Sequence, residues 1–174
     1  MTRSSPDTLS LTRGVLRVLT RLNLLMAAFI LALLVATLVS EGPVMKALGV
    51  RPAPGNSMLF AGVRLIMVIG LCGIPLVHFV LTRLLAIVDT VSVGNPFVVA
   101  NAERLKRIAW AVLALELLHL TVGAVAAGIS TTATPLRING DLSLTRWLAV
   151  LMLFVLARVF EQGARMREDL EGTV

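Results

Sequence analysis

The sequence is short of the residues that most catalytic and metal sites need. It has no tyrosine, two histidines and one cysteine, and charged residues make up 15% of its 174 residues. The single Cys72 cannot form an internal disulfide, and no His-x₃-His or paired-cysteine spacing suggests a metal site. The chain also lacks G-x-S-x-G, Walker and dinucleotide-binding motifs.

Haem ligation by two histidines is the remaining cofactor hypothesis. His78 and His119 fall in different apolar segments. Counted from the basic residues that flank those segments, their depths in a membrane differ by roughly 10 Å at the helical rise per residue. We therefore predict no enzymatic activity, no catalytic residues, no cofactor and no metal.

Acidic residues are fewer than basic ones, 10 against 16, which gives a net charge of +6 and an isoelectric point near 11.2. Nucleic-acid binders concentrate such charge on one soluble face, whereas here it is scattered at the ends of apolar segments. We therefore predict no direct nucleic-acid binding. Basic residues in these places indicate membrane orientation and contact with lipid.

Long apolar segments are what the sequence does have. Hydrophobic residues make up 57% of the chain, and the mean hydropathy is +0.89. Each of four segments is near the roughly 20 residues that cross a bilayer as a helix. We predict an all-α integral membrane protein, an antiparallel bundle of four transmembrane helices in one domain, residues 1–174. Its spans are about 18–40, 60–88, 105–129 and 144–166; its outer loops are 41–57 and 130–142, and its cytoplasmic loop is 89–102.

The arginines predict the orientation. They are enriched before the first span, around the loop between the second and third spans, and at the C-terminus. By the positive-inside rule these parts are cytoplasmic. The first apolar segment is longer than a signal-peptide core and has no convincing cleavage site, which favours a retained span. We predict a multi-pass protein of the bacterial inner membrane with both termini in the cytoplasm.

Smaller features predict local structure. Residues 43–48 suggest a short interfacial helix, and Asn139-Gly140 suggests a tight turn. Asn56 or Ser57, and Asp141 or Ser143, are suited to begin helices. Pro75 predicts a kink, because proline removes one helical hydrogen bond and clashes with the preceding turn.

Ionisable residues inside spans mark the places where chemistry could occur. Glu116 and Arg158 fall near the middle or inner half of the third and fourth spans. They are candidates for an intramembrane ion pair, either as structural support or as a proton or ion relay. In a third interpretation, Arg158 extends toward the cytoplasmic surface beside Glu161 and Arg165.

The cytoplasmic loop reads GNPFVVANAERLKRI over residues 94–108. Asn95 and Asn101 are suited to cap helices, and Pro96 fits a first helical position. Phe97 offers an apolar side chain next to the membrane. Two roles stay open for this loop: a rigid re-entry of the chain, or recognition of a partner.

The G-x-P-F and N-A-x-R-L elements of this loop, with the acidic C-terminal end of the chain, resemble the YoaS-like family of bacterial four-span membrane proteins, domain of unknown function 2975. The family often has leucine where this chain has Gly172. The family has no established activity. The resemblance marks seven positions: Gly94, Asn95, Pro96, Phe97, Asn101, Arg104 and Leu105. It also implies a cytoplasmic partner, because members are often encoded beside small helix-turn-helix regulators.

The function we expect is therefore action through the lipid bilayer or a partner protein, with a cytoplasmic regulatory protein as the partner. The alternative is a small transporter or channel component that uses Glu116 and Arg158. The sequence does not indicate an oligomeric state.

Overall fold

The computed structural model describes residues 6–49, 57–130 and 143–171. Within these ranges the chain forms five α-helices and no β-strand, so the all-helical class is confirmed. The helices, in chain order, are α1 (Pro6–Val39), α2 (Glu41–Ala47), α3 (Ser57–Ser92), α4 (Val99–Ile129) and α5 (Leu144–Glu171).

Three of the described helices, α1, α3 and α4, are long and apolar enough to cross a membrane. The region predicted as a fourth span is α5, which is not among them. The longest uncharged segment of α5 runs from Trp147 to Ala157. It lies between Arg146 and Arg158, and Glu161 follows one turn later. At about 1.5 Å per residue, that segment covers only about half of a bilayer core of about 30 Å.

The predicted short helix of the first outer loop is present as α2. The helix that contains the second predicted span, residues 60–88, is α3, and it continues past that span to Ser92. Pro75 lies inside α3, whose helical assignment continues on both sides of it, and the kink stays a prediction. The Asn139-Gly140 turn, Asn56 and Asp141 lie outside the described residues.

The chain divides into two compact units, and the division runs through α1, α3 and α4. The first unit contains Met1–Asn23, Leu76–Ala114 and Ser143–Val174, and the second contains Leu24–Pro75 and Leu115–Leu142.

Both α4 and α5 carry buried apolar residues in the first unit. On α5 the buried residues Val150, Ala157 and Ala164 recur every seventh position and therefore lie on one face of the helix. On α4 Ile108 and Ala109 are almost fully buried. Alanine at a helix contact lets two backbones approach closely, which is the usual packing mode of membrane helices. Trp110 of α4 meets Phe154 of α5 edge-on, with ring centroids 5.3 Å apart.

A cluster of larger apolar side chains forms the core of the second unit. Met45 of α2 is fully buried and packs with Leu59 of α3 and Ile129 of α4. Gly62 makes this contact feasible, since a Cβ atom there would lie 2.4 Å from Ile129 Cδ1. The short helix α2 is therefore held by apolar packing.

Arg64 of α3 adds the main polar contact of the second unit. Its guanidinium donates to the Thr37 carbonyl near the end of α1, at 2.6 Å, and lies 3.0 Å from the Glu41 carboxylate at the start of α2. A cation at a helix C-terminus satisfies carbonyl groups that have no partner within the helix. One side chain thus connects the ends of α1 and α2 to α3.

Candidate functional site

The turn between α3 and α4 contains most of the motif positions, and Gly94 starts it. Gly94 has φ +86°, and its N–H donates to the Val91 carbonyl at 3.0 Å. The next N–H, of Asn95, donates to the Thr90 carbonyl at 3.2 Å. These two bonds form a Schellman motif, which ends a helix through a left-handed residue and favours glycine there.

Pro96 follows this helix end. We predicted it as the first residue of the next helix, and that is wrong, because α4 begins at Val99. The proline instead lies just beyond the end of α3, a common place for a residue that cannot continue a helix. Its carbonyl accepts a hydrogen bond from Asn101 Nδ2 at 2.9 Å.

Asn101 is the most buried polar residue of the turn, with no exposed surface. Its Nδ2 donates to Thr90 Oγ1 at 2.7 Å, and Thr90 Oγ1 in turn lies 2.7 Å from the Ile87 carbonyl. The predicted capping role is wrong, because Asn101 lies inside α4 and its side chain reaches back to α3 and to the loop. A buried amide needs such partners, since leaving them unmet costs free energy.

Arg104 completes the arrangement. Its Nη1 donates to Asn101 Oδ1 at 2.8 Å and to the Ala86 carbonyl of α3 at 3.3 Å. The guanidinium thus orients the amide, whose nitrogen must then face Thr90 and Pro96. We name the side chains of Thr90, Asn101 and Arg104, with the Pro96 carbonyl, the polar clasp. It joins the end of α3, the loop and the start of α4.

Phe97 anchors the loop to α5. Its ring lies 5.2 Å from the ring of Phe160, centroid to centroid, and 45% of the residue is exposed. A Cβ atom at Gly163 would lie 3.0 Å from the Phe97 ring, so the glycine leaves room for it. Phe97 thus contacts α5, and its position next to the membrane stays a prediction.

Polar contacts tie two further helix ends to the turn. Arg167 near the end of α5 donates to Asn95 Oδ1 at 3.0 Å. Arg13 of α1 forms an ion pair with Asp89 at 2.8 Å and a hydrogen bond to Ser92. Arg13, Thr90 and Gly163 were not predicted as residues of this site, because each contacts a residue that lies in another helix or in the loop.

The remaining motif position, Leu105, is buried in the first unit. All seven motif residues therefore have a definite structural role in or beside the turn. The structure brings them together with contacts from α1 and α5.

Glu116 and Arg158 lie in different units, and their pairing stays a prediction. Glu116 is 7% exposed within α4. Arg158 lies 3.0 Å from Glu161 on its own helix, and Glu161 also contacts Arg165 at 2.7 Å. This triplet corresponds to the neighbours named in the third interpretation of Arg158.

Comparisons with known proteins place these features in a family. Residues 33–174 match the family described as "Protein of unknown function (DUF2975)", so the match covers most of the chain and the whole polar clasp. No curated protein and no solved structure matches the chain. The expected family is thus confirmed: the chain belongs to the DUF2975 family.

Proposed function

We propose that the protein crosses a bacterial inner membrane four times, with α5 as the fourth span and both termini in the cytoplasm. Two observations support α5 as a span. It packs along α4, a membrane-length helix, through Trp110 and Phe154. Its charged part begins with Arg158, whose long side chain can extend from the bilayer core to the interface.

Single-cysteine labelling in membranes, in a variant lacking Cys72, tests this topology. Cysteines replace Thr145 and Glu168 at the two ends of α5, and Asn95 in the turn. We expect a membrane-impermeant reagent to reach positions 95 and 168 from one side and 145 from the other. Labelling of 145 and 168 from the same side would show that α5 does not cross.

We further propose a non-enzymatic role in which the α3–α4 turn and the end of α5 bind a cytoplasmic protein. The polar clasp supports this, because it fixes the turn without using the surrounding exposed surface. That surface contains exposed apolar side chains: Val93 is 79% exposed, Val99 51% and Met166 62%. Rigid elements that present such residues suit a binding surface.

The basic residues around this surface suggest the character of the partner. Lys106, Arg107 and Arg165 are exposed on α4 and α5. They favour a partner with an acidic patch, because complementary charge speeds association and selects partners. A small helix-turn-helix regulator, as the family resemblance implies, is the soluble protein we propose.

Site-specific photocrosslinking in intact cells tests this role. A photoreactive residue replaces Val93 or Met166, with Leu48 after α2 as a matched exposed apolar control. We expect one soluble protein to be captured at both 93 and 166 but not at 48, and its capture from isolated membranes to weaken as salt increases. Equal capture at all three positions, or none, would refute the proposal.

The transporter alternative rests on one observation, the burial of the Glu116 carboxylate in α4. A double-mutant cycle of Glu116→Gln and Arg158→Gln, followed by unfolding in mild detergent, tests the proposed ion pair. If the pair forms, one removal costs on the order of a few kcal/mol and the second restores much of it. Additive effects would show that Glu116 and Arg158 do not pair, and the ion pair of Arg158 with Glu161 on its own helix would remain. Transport itself would require substrate-dependent flux into liposomes that contain the protein.

A further inference from the structure

A groove of about 300 Å³ lies between the first turns of α4 and the second half of α5. Its lining combines charge with apolar surface. Lys106 and Arg158 supply cations, Glu103 and Glu161 supply carboxylates, and Phe154 and Ala157 are among the apolar residues. Such a combination suits a ligand with a charged head and an apolar tail.

Arginines already neutralise the two carboxylates. Glu103 lies 3.0 Å from Arg107 one turn along α4. Glu161 lies between Arg158 and Arg165, at 3.0 and 2.7 Å. Lys106 takes part in none of the ion pairs among the described residues. The charged residues of the lining are two cations and two carboxylates, and Arg107 and Arg165 pair with those carboxylates from outside the lining. Lys106 is therefore left to bind an anion.

The groove also lies where both helices change from charged to apolar sequence. On α4 the charged residues end at Arg107 and none follows before Glu116. On α5 the uncharged segment that starts at Trp147 ends at Ala157, directly before Arg158. Phe97 meets Phe160 and Trp110 meets Phe154, so the chain runs in opposite directions through α4 and α5 and the two changes occur at the same level of the first unit. In membrane helices this change marks the interface with water.

The geometry points to a binding site for the phosphodiester headgroup of an anionic phospholipid. Lys106 and Arg158 contact the phosphate, and an acyl chain lies along Phe154 and Ala157. Basic pockets between membrane helices on the cytoplasmic side bind such headgroups. The site requires only the membrane placement of α4 and α5 proposed above. It does not require the protein partner, and photocrosslinking tests that partner separately.

The test uses the full-length protein purified in a neutral detergent. Dioleoylphosphatidylglycerol or dioleoylphosphatidylcholine is added, and the melting temperature and the lipid retained in native mass spectra are measured. The variant is Lys106→Gln, an exposed position whose change should not affect folding. Lys46→Gln, at another exposed lysine in α2, is the matched control for loss of one charge.

We expect phosphatidylglycerol to raise the melting temperature more than phosphatidylcholine does. Lys106→Gln should weaken its apparent affinity about five-fold, and Lys46→Gln should not. Equal effects of the two lipids, or equal effects of the two variants, would overturn the site. So would equal, Lys106-dependent stabilisation by inorganic phosphate, because the ligand would then be a free anion and not a lipid.

Discussion

The two units join their helices with different chemistry. In the first, the turn from α3 to α4 is closed by a buried amide, a hydroxyl and a guanidinium. In the second, α2 is held by Met45, Leu59 and Ile129, and Arg64 adds one polar junction at the helix ends. The stability of the first arrangement depends on the orientation of donors and acceptors, because hydrogen bonds need alignment. The stability of the second depends on how well the side chains fill the available volume.

This contrast has a physical consequence. A polar cluster holds one conformation firmly but fails when a single member is lost, because its partners then stay buried and unsatisfied. An apolar cluster tolerates exchanges that keep its volume. A turn that must present a fixed surface is better served by the first kind. This agrees with the position of the family motif, which lies in the polar clasp and not in the apolar cluster.

The largest effect is expected at Asn101. Asn101→Leu removes partners from the Pro96 carbonyl, Thr90 and Arg104, and we expect a loss of about 3 kcal/mol in unfolding free energy. Chemical unfolding in detergent micelles measures it. Asn95→Ala is the control, because Asn95 is exposed and its side chain accepts a hydrogen bond from Arg167 on α5, outside the clasp. Similar losses in the two variants would show that the polar clasp contributes no more to the free energy of unfolding than an exposed hydrogen bond does.

Overpacking should break the second unit. In Gly62→Ala the new Cβ would lie 2.4 Å from Ile129 Cδ1, and we expect a loss of about 2 kcal/mol. The double variant with Ile129→Ala should lose less than the sum of the single variants, because the smaller side chain removes the clash. Gly70→Ala on the same helix meets nothing within 4 Å and should be neutral or stabilising. A harmless Gly62→Ala would contradict the close contact.

The smallest effect concerns the backbone of the turn. Gly94→Ala places a side chain at φ +86°, which we expect to cost about 1 kcal/mol without disrupting the clasp. Thermal unfolding in detergent measures it, with Gly14→Ala in α1 as a control that has no neighbour within 4 Å. Equal melting temperatures for both variants would show that the turn relaxes easily to another conformation.

Sequence reasoning succeeded where a pattern is local. The apolar segments on either side placed a loop at residues 89–102, and the break between α3 and α4 lies within it. Pro96 was assigned to the start of the next helix and instead follows the end of α3. The same reasoning misplaced the start of α4, because Asn101 looked like a capping residue. Its side chain bonds instead to Thr90 of the preceding helix and to the Pro96 carbonyl, and packing sets the register that brings these groups together.

The apolar segments and the loop motif, both readable from residue order, determined by themselves the helical class, the family and the location of the candidate site. Only the tertiary structure decided which groups meet: Asn101 with Thr90, Arg13 with Asp89, Phe97 with Gly163, and Lys106 with the α4–α5 groove. The reason is that helix formation follows from neighbours a few positions apart. Contacts between helices depend instead on rotation and register, which packing of the whole chain determines.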